Sequence, residues 1–384
     1  MHDKWVEIDD DAILGNLAGV QSLLSDATRL IAVVKADAYG HGLVPTALLL
    51  EANGVDRFAV TFLAEALKLR QAGLKADILL LSPLVDEEAV IEAIRADLTI
   101  MVSTPQDAAL TDQAGRSLQR RLKLHLKIET GLNRFGLSEE EALLVCRSLS
   151  ENHFIYIEGI YTHMAHAGAS DPAYTLRQFE RFNQVVNRLH QEGYDIPIRH
   201  CANSTVTLRF PHMHLEAVRV GTLLSGQYPV GKMPRPIQLR DPFQFKARVI
   251  AVKHLPAGSS IGYFRTYRLK KAARIAVISA GFADGVAVAV TNPPAGWADA
   301  LKRALKMLLA RLRISRFIMR VYIQGQPCAV AGKVFMQFTL VELPDQLEVA
   351  VGSQASLPAN KTLVSPAVMR VHCQGRGMVK AEGH

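Results

Sequence analysis

Eight short apolar runs rich in β-branched residues recur along the first 220 residues, at 30–34, 57–61, 77–81, 98–102, 122–128, 154–161, 198–202 and 215–220. Between most of them the apolar spacing lengthens from two to that of a helix, as in 86–94 and 174–189. Asp171-Pro172 reads as the entry to one such helix, an N-cap followed by proline at the first helical position. Eight strands alternating with helices over about 220 residues is the count of a (β/α)8 barrel. The expected fold is therefore α/β, an N-terminal TIM-like barrel. An open doubly wound sheet is the alternative, but no G-x-G-x-x-G turn follows the first run.

After Tyr228-Pro229 the texture changes. Residues 231–236, rich in Gly, Pro and basic side chains, read as a linker. Beyond it come strand-like runs at 245–252, 273–279, 317–323 and 347–351, with Gly325 and Gly332 marking turns and one helix-like stretch at 297–312. The division expected is a barrel over 1–235 and a mostly-β domain over 236–384. Charge follows the same line. Residues 1–200 carry 19 basic and 28 acidic side chains, a balance of −9, while residues 201–384 carry 25 and 8, a balance of +17, which together give the net +8. Half of the chain (49%) is apolar, which excludes a disordered or collagen-like protein. No apolar stretch reaches the roughly 18 residues of a membrane span, and the first residues lack the basic-then-apolar order of a secretion signal. Cys146, Cys201, Cys328 and Cys373 are scattered without metal or disulfide spacing. These features together predict a cytoplasmic protein without a membrane span.

In a barrel of this kind, active groups sit just past the carboxyl ends of the strands. Lys35 closes the first run, followed by Ala36-Asp37-Ala38-Tyr39-Gly40-His41-Gly42. It either reaches solvent or, desolvated in the barrel mouth, serves as a Schiff-base amine. Arg134 follows the fifth run and suits a carboxylate gripped by two parallel hydrogen bonds; a plain surface arginine is the other reading. His163 ends the sixth run, with His166 three residues on. With His212 and His214 these could form a metal set, but two short pairs without a nearby carboxylate favour a core-edge or catalytic histidine. No metal is expected. After the seventh run come Asn203 and Ser204, and after the eighth Arg219 and Gly221. The loops there are the habitual phosphate site of such barrels, which Ser204 and Gly221 suit. Ser204 as a hydrolase nucleophile is the rival, but it lacks the G-x-S-x-G elbow.

Taken together these segments resemble alanine racemase, a pyridoxal-phosphate enzyme family, nearly end to end. The likeness runs from Val6-Glu7-Ile8-Asp9 through the lysine motif, Lys127-Ile128-Glu129-Thr130-Gly131, Tyr161-Thr162-His163-Met164-Ala165, Ala202-Asn203-Ser204 and Val218-Arg219-Val220-Gly221. It continues through Gly262-Tyr263-Phe264-Arg265-Thr266-Tyr267 and Gly281-Phe282-Ala283-Asp284-Gly285. The resemblance implies a barrel and a β-domain, with the first strand (about 1–9) joining the latter, and a head-to-tail homodimer with shared active sites. It implies pyridoxal 5'-phosphate bound covalently at Lys35, which is also one base, and Tyr263 of the partner subunit as the other. His163 and Arg219 are the groups implied to support a phenolate there. Arg219 would face the pyridine nitrogen. Tyr39, Ser204 and Gly221 would hold the phosphate, with Asn203 beside them, and Arg134 and the main chain at Met336 the substrate carboxylate. Lys127 matches a lysine that is carbamylated in some members. The implied reaction interconverts L- and D-alanine, a small-molecule substrate, and supplies D-alanine for cell-wall synthesis.

Departures from the family pattern are local. Phe282 stands where tyrosine is usual, Phe335 where a small residue precedes the substrate-binding methionine, Ser225 where tyrosine is common, and His372 where a phosphate-binding tyrosine is expected. Imidazole could donate in its place. A racemase preferring serine or another amino acid, and a catalytically impaired cofactor-binding homologue, are the alternatives these changes raise. Residues 302–320 hold seven basic and no acidic side chains, with Lys302, Lys306, Arg313 and Arg316 on one helical face. The ordinary reading is a solvated face on an insertion; anionic lipid or nucleic acid is the rarer one, and no nucleic-acid partner is expected.

Overall fold

The computed structural model describes residues 2–229, 233–290, 293–294, 296–311 and 319–375. It divides into two compact units, Met1–Ile8 with Phe243–Cys373, and Asp9–Pro242 with Gln374–His384. Among the described residues no helix is long and apolar enough to cross a membrane.

The larger unit is the eight-stranded parallel barrel. Strand β1 (Lys4–Asp9) precedes it. The barrel strands are β2 (Arg29–Val33), β3 (Arg57–Val60), β4 (Asp77–Leu80), β5 (Ile100–Val102), β6 (Leu122–Lys127) and β7 (Ile155–Tyr161), then β8 (Ile198–His200), continued past Cys201 by β9 (Ala202–Asn203), and β10 (Ala217–Val220). Parallel pairing runs β2–β3–β4 and β5–β6–β7–β8, and β10 pairs with both β2 and β9. A Leu79–Thr99 bridge joins β4 to the approach of β5.

Helices start where the sequence offers side-chain acceptors. Asp86 caps Glu87–Arg95 through the Ala89 N–H. Thr104 with Asp107, and Ser138 with Glu141, form capping boxes on Pro105–Leu118 and Glu139–Leu149. One entry differs from expectation. Pro172 stands at the N-cap of Ala173–Gln191 rather than inside it, and the Asp171 carboxylate accepts from the Ala173 N–H. The acidic side chain still satisfies an end donor, one position earlier than predicted.

The barrel interior has two textures. Ile31, Val33, Ala59, Leu79, Ile198 and Ala217 form one apolar cluster, with Tyr39 and Leu81 against it. On β6, Lys123, His125 and Lys127 occupy alternate positions, so they share one face. That face is polar.

The smaller unit is a closed antiparallel sheet of order β14-β17-β16-β15-β18-β11-β1-β19. Its further strands are β11 (Phe243–Leu255), β12 (Ser260–Ile261), β13 (Tyr267–Arg268), β14 (Ala273–Ile278), β15 (Arg320–Ile323), β16 (Gln326–Val330), β17 (Thr339–Leu343), β18 (Gln354–Leu357) and β19 (Arg370–Cys373). The 13-residue β11 closes the sheet by pairing with β18 over its first half and β14 over its second, with a bulge between Val249 and Ala251. β1 pairs antiparallel with β11, Lys4 opposite Ala247. Residues 347–351, expected as a strand, form a connection instead. The Leu347 N–H turns back to the Pro344 carbonyl and Gly352 takes φ +95°, which leaves the run no length to enter a ladder. Of the expected run 317–323, residues 320–323 are strand and 317–318 lie outside the described residues, as do 231 and 232 of the expected linker. The helix expected at 297–312 runs Trp297–Arg311, with Lys302 and Lys306 on it; Arg313 and Arg316 lie outside the described residues.

Candidate active site

β2 ends in an unusual turn. Lys35 is followed by Ala36, Asp37, Ala38 and Tyr39 at φ between 52° and 57°, a left-handed turn without glycine. Such a conformation costs roughly 1–2 kcal/mol per L-residue, so surrounding bonds must fix it. Glu65 accepts from the Ala36 N–H at 2.7 Å and also from Thr61 and Phe62, while Asp37 accepts from the Leu43 N–H at 2.8 Å. The Ala38 N–H closes on the Val34 carbonyl. Lys35 is thereby held at the strand end. Burial, then the positive charges of Arg134 and Arg219, lower its pKa below that of a free lysine, with Glu65 opposing.

Tyr39, on the same turn, lies against Gly221, where a Cβ would run into the tyrosine ring. Burial pushes the Tyr39 phenol up to about 12. Across from it the Gly221 N–H donates to Ser204 Oγ at 3.3 Å. Tyr39, Ser204 and Gly221 thus gather a phenol, a hydroxyl and an N–H, a donor set suited to an anion such as a phosphate. Asn203 takes a different part. Its amide oxygen accepts from the Thr205 and Val206 N–H groups and its amide nitrogen approaches the Met164 carbonyl at 3.4 Å. It caps Ser204–Arg209 and so aims Ser204.

Arg219 is 4% exposed and sits at the head of a column of polar side chains. It donates to His200 Nδ1 at 2.6 Å and to the carbonyls of His200 and Thr162. A longer contact of 3.4 Å reaches His163 Nδ1, and the guanidinium lies over the Tyr161 ring at 4.8 Å. His200 Nε2 meets His125 Nδ1 at 2.8 Å, and His125 Nε2 meets Glu158 at 3.2 Å. Guanidinium only donates and carboxylate only accepts, so the two ends fix the direction: each imidazole accepts on Nδ1 and donates from Nε2. Burial, reinforced by Arg219, keeps His200 well below its ordinary pKa, and His163 is pushed down to about 3. All three rings on this column and beside it are neutral at pH 7. At the column's foot, Glu158 pairs with Arg57 at 3.0 Å and Lys123 at 3.7 Å, and Asp77 pairs with the same two cations.

Lys127 is buried at the end of β6, donating to the Ile128 carbonyl. Burial, then Arg219 and Arg134, lower it to about 7, against the pull of Glu129. Arg134 is carried on a loop built around the Glu129 carboxylate, which accepts from the Gly131 and Leu132 N–H groups. Gly136 closes that loop at φ +140°, where a Cβ would strike the Ile128–Glu129 backbone.

The barrel therefore brings Lys35, Tyr39, Lys127, Arg134, His163, Asn203, Ser204, Arg219 and Gly221 to one end. Tyr263, Met336 and His372 belong to the other unit. Tyr263 stands on a one-turn 3-10 helix between Gly262 (φ +77°) and Phe264 (φ +61°), 70% exposed, its ring 5.4 Å from that of Phe335. Phe282 and Ala283 donate backbone N–H groups to the Phe335 and Met336 carbonyls, and Asp284 receives Gly281 N–H and Lys4. The Gly281–Gly285 segment is thus a clasp on the Phe335-Met336 chain. His372 lies on β19, half-buried. Among the described residues no cluster of three His, Cys, Asp or Glu could hold a metal. His214 donates from Nε2 to the Thr207 carbonyl, and His212 packs edge-on to Phe179 and Phe210.

Sequence reasoning did not find His125, Glu158, Arg57 or a linking role for His200. Gly159 was a signal: inside a strand pattern it marks close approach, and a Cβ there would meet the His125 ring at 2.5 Å.

Comparisons with known proteins identify the family. Residues 8–229 match the family model "Alanine racemase, N-terminal domain" and residues 243–371 match "Alanine racemase, C-terminal domain". Alanine racemase 1 of Oceanobacillus iheyensis is 35% identical over 344 residues, covering 89% of this chain and 85% of its own length. The Carboxydothermus hydrogenoformans alanine racemase is 34% identical over 358 residues, covering 93% and 90%. Among solved structures, alanine racemase of Clostridium difficile 630 superposes with a TM-score of 0.86 at 27% identity, covering 99% of this chain and 98% of that one. The Bacillus anthracis alanine racemase with bound L-Ala-P superposes with a TM-score of 0.82 at 27% identity, covering 99% and 97%.

Proposed function

The chain belongs to the alanine racemase family and is an isomerase, and from that premise we propose that it interconverts L- and D-alanine with pyridoxal 5'-phosphate, Lys35 and Tyr263 being the two bases. The observation that carries the reading is the Lys35 turn: an amine fixed at a strand end, its pKa lowered by burial and by Arg134 and Arg219, beside the Tyr39–Ser204–Gly221 donor set. A chain with these groups suits the cofactor. Lys35 would attach it, Tyr39, Ser204 and the Gly221 N–H would hold its phosphate with His372 as a further donor, Asn203 would aim Ser204, and Arg219 would face its ring nitrogen. When bound, the cofactor supplies the π-system that takes up the electron pair left by the α-proton.

Racemisation needs a proton removed from one face of the α-carbon and another delivered to the opposite face. The Lys35 amine, lowered toward neutrality, is suited to hold or release a proton at Nζ. On the other face we place the partner subunit's Tyr263, whose 70% exposure in a single chain fits a residue offered to a second copy of this chain. An unperturbed phenol titrates near 10, so a phenolate there needs support. His163 is neutral and accepts on Nδ1 from Arg219, which leaves its Nε2–H to donate. Arg134 and the Met336 main chain would orient the substrate carboxylate. Lys127, lowered to about 7, has a large neutral fraction at physiological pH and is suited to carbamylation, which would add a negative charge to position Arg134. We further propose a cytoplasmic homodimer that supplies D-alanine for cell-wall synthesis.

Purified protein is expected to carry the visible absorbance of a lysine-bound cofactor and to exchange the alanine α-proton in heavy water. Tyr263→Phe should abolish racemisation in both directions while retaining the cofactor. Full activity in that variant would refute the two-base assignment. Absorbance without α-proton exchange for any amino acid would identify a cofactor-binding homologue without activity. Phe335, packed on Tyr263, favours a narrow pocket; a panel in which serine or a larger amino acid turns over faster than alanine would replace the substrate assignment.

A further inference from the structure

The insertion between β14 and β15 holds an amphipathic helix with both faces in solvent. Trp297–Arg311 spans 15 residues, roughly 22 Å at 1.5 Å per residue. Trp297, Leu301, Leu305 and Leu308 recur at the three- and four-residue spacing of one helical face. They are uncovered: Trp297 is 85% exposed, Leu301 62% and Leu305 and Leu308 53% each. On the opposite side stand Lys302 and Lys306, with Arg303 paired to Asp299 at 2.8 Å. The sequence continues the bias through residue 320, with seven basic and no acidic side chains from 302.

Four large apolar side chains in water along one stripe mark a surface that meets something else. The choice of occupant follows from both faces at once. A nucleic acid would engage the lysines and leave the leucines and Trp297 wet. A second copy meeting this stripe would cover the leucines and Trp297 but leave Lys302 and Lys306, on the far side, without a partner. An anionic phospholipid surface satisfies both halves, taking the leucines and tryptophan into the acyl boundary while the lysines reach headgroup phosphates. Among the described residues no helix is long and apolar enough to cross a membrane, and a stripe of this kind suits a helix lying on such a surface.

We propose that Trp297–Arg311 docks the enzyme on anionic phospholipid membranes, as a peripheral contact separate from the catalytic groups. The full-length holoenzyme should cosediment with phosphatidylcholine vesicles containing about 30% phosphatidylglycerol, and far less with phosphatidylcholine alone. The chain has two tryptophans and Trp5 is buried, so the blue shift of Trp297 emission reports insertion directly. Lys302→Gln with Lys306→Gln should weaken binding about 25-fold, at roughly fivefold per basic residue near the surface. Leu301→Glu with Leu308→Glu should abolish both sedimentation and the blue shift. All of these side chains are exposed, so racemisation should be unchanged in each variant and serves as the control for folding. Four outcomes would overturn the proposal. They are absence of vesicle binding, equal binding to neutral vesicles, retention on duplex DNA that the leucine variant does not alter, and a change in molar mass of the leucine variant by light scattering, which would place the face between copies.

Discussion

Lys127→Met should make the protein more stable at pH 7, and the gain should vanish in alkali. The lysine is 3% exposed, and its pKa falls from 10.5 unfolded to about 7 folded because burial and two arginines disfavour its charge. Between those values the unfolded chain holds a proton that the folded chain has released, so stability rises with pH across the interval. The penalty is complete below about pH 7 and absent above about 10.5. Integrating gives on the order of 4 kcal/mol at pH 7, with a slope near 1.4 kcal/mol per pH unit while one proton is exchanged. Urea unfolding of cofactor-free wild type and Lys127→Met, run side by side from pH 7 to 9.5, isolates the lysine, because other titrating groups cancel in the difference. The variant lacks the donor to the Ile128 carbonyl, which trims the gain by about 1 kcal/mol. The two curves should converge with pH. Added bicarbonate should stabilise wild type alone, since only a neutral amine forms a carbamate. Parallel profiles with no convergence would refute the desolvation argument.

Glu158→Gln removes the carboxylate shared by Arg57, Lys123 and His125 and should cost about 3 kcal/mol at neutral pH. Against the desolvation of burial, His125 and Arg57 hold Glu158 well below its ordinary 4.5, so its contribution is present above that value and fades as pH falls. Denaturation midpoints of variant and wild type should therefore approach each other in acid; a constant gap would count against the pairing. Gly221→Ala forces a methyl into the Tyr39 ring and should weaken cofactor retention at least tenfold on dialysis (on the order of 1.4 kcal/mol), with secondary structure intact by circular dichroism; unchanged retention would remove Gly221 from the cradle. Phe335→Ala opens the space against Tyr263 and should raise kcat/KM for larger amino acids relative to alanine, whereas an unaltered ratio would show that Phe335 does not bound the pocket.

The barrel was legible because period-two runs alternating with helical spacing leave few architectures, and because polar residues gathered where each run stopped. Lys35, Arg134, His163 and Arg219 were found by that rule. His125 and Glu158 were not, since they lie within strands; a reading that watches strand ends passes over alternating Lys123, His125 and Lys127. The left-handed turn at 36–39 had no local signal at all, because alanine and tyrosine disfavour it and it is held by Glu65, placed by the fold, together with the Asp37 carboxylate and the Ala38 N–H bond to Val34. In the smaller unit, residues 347–351 looked like a strand by composition, but strand identity depends on a partner at the right distance. β16 to β19 are short segments whose pairing, not their composition, makes them strands.

The polar column explains how Arg219 keeps its charge in the barrel without a carboxylate in contact. A buried guanidinium costs several kcal/mol unless its donors are met, and here they meet two carbonyls and His200 Nδ1. The nearest carboxylate along the path is Glu158, two imidazoles away and itself paired with Arg57 and Lys123, and both rings are oriented so that their dipoles point the same way along the path. Moving that carboxylate next to Arg219 would neutralise the guanidinium where it faces the barrel mouth. Leaving it at the foot keeps a full positive charge at the mouth, on a group whose proton stays put at physiological pH. On the proposed reading, a cofactor ring nitrogen facing it would receive a hydrogen bond without being protonated, and so would withdraw electrons less strongly. Rapid reprotonation of the α-carbon would, on that reading, depend on a proton carrier already in place on each face. In the proposed mechanism a weak electron sink and two positioned bases would therefore be parts of one arrangement, and a change that strengthened the first would relax the demand on the second.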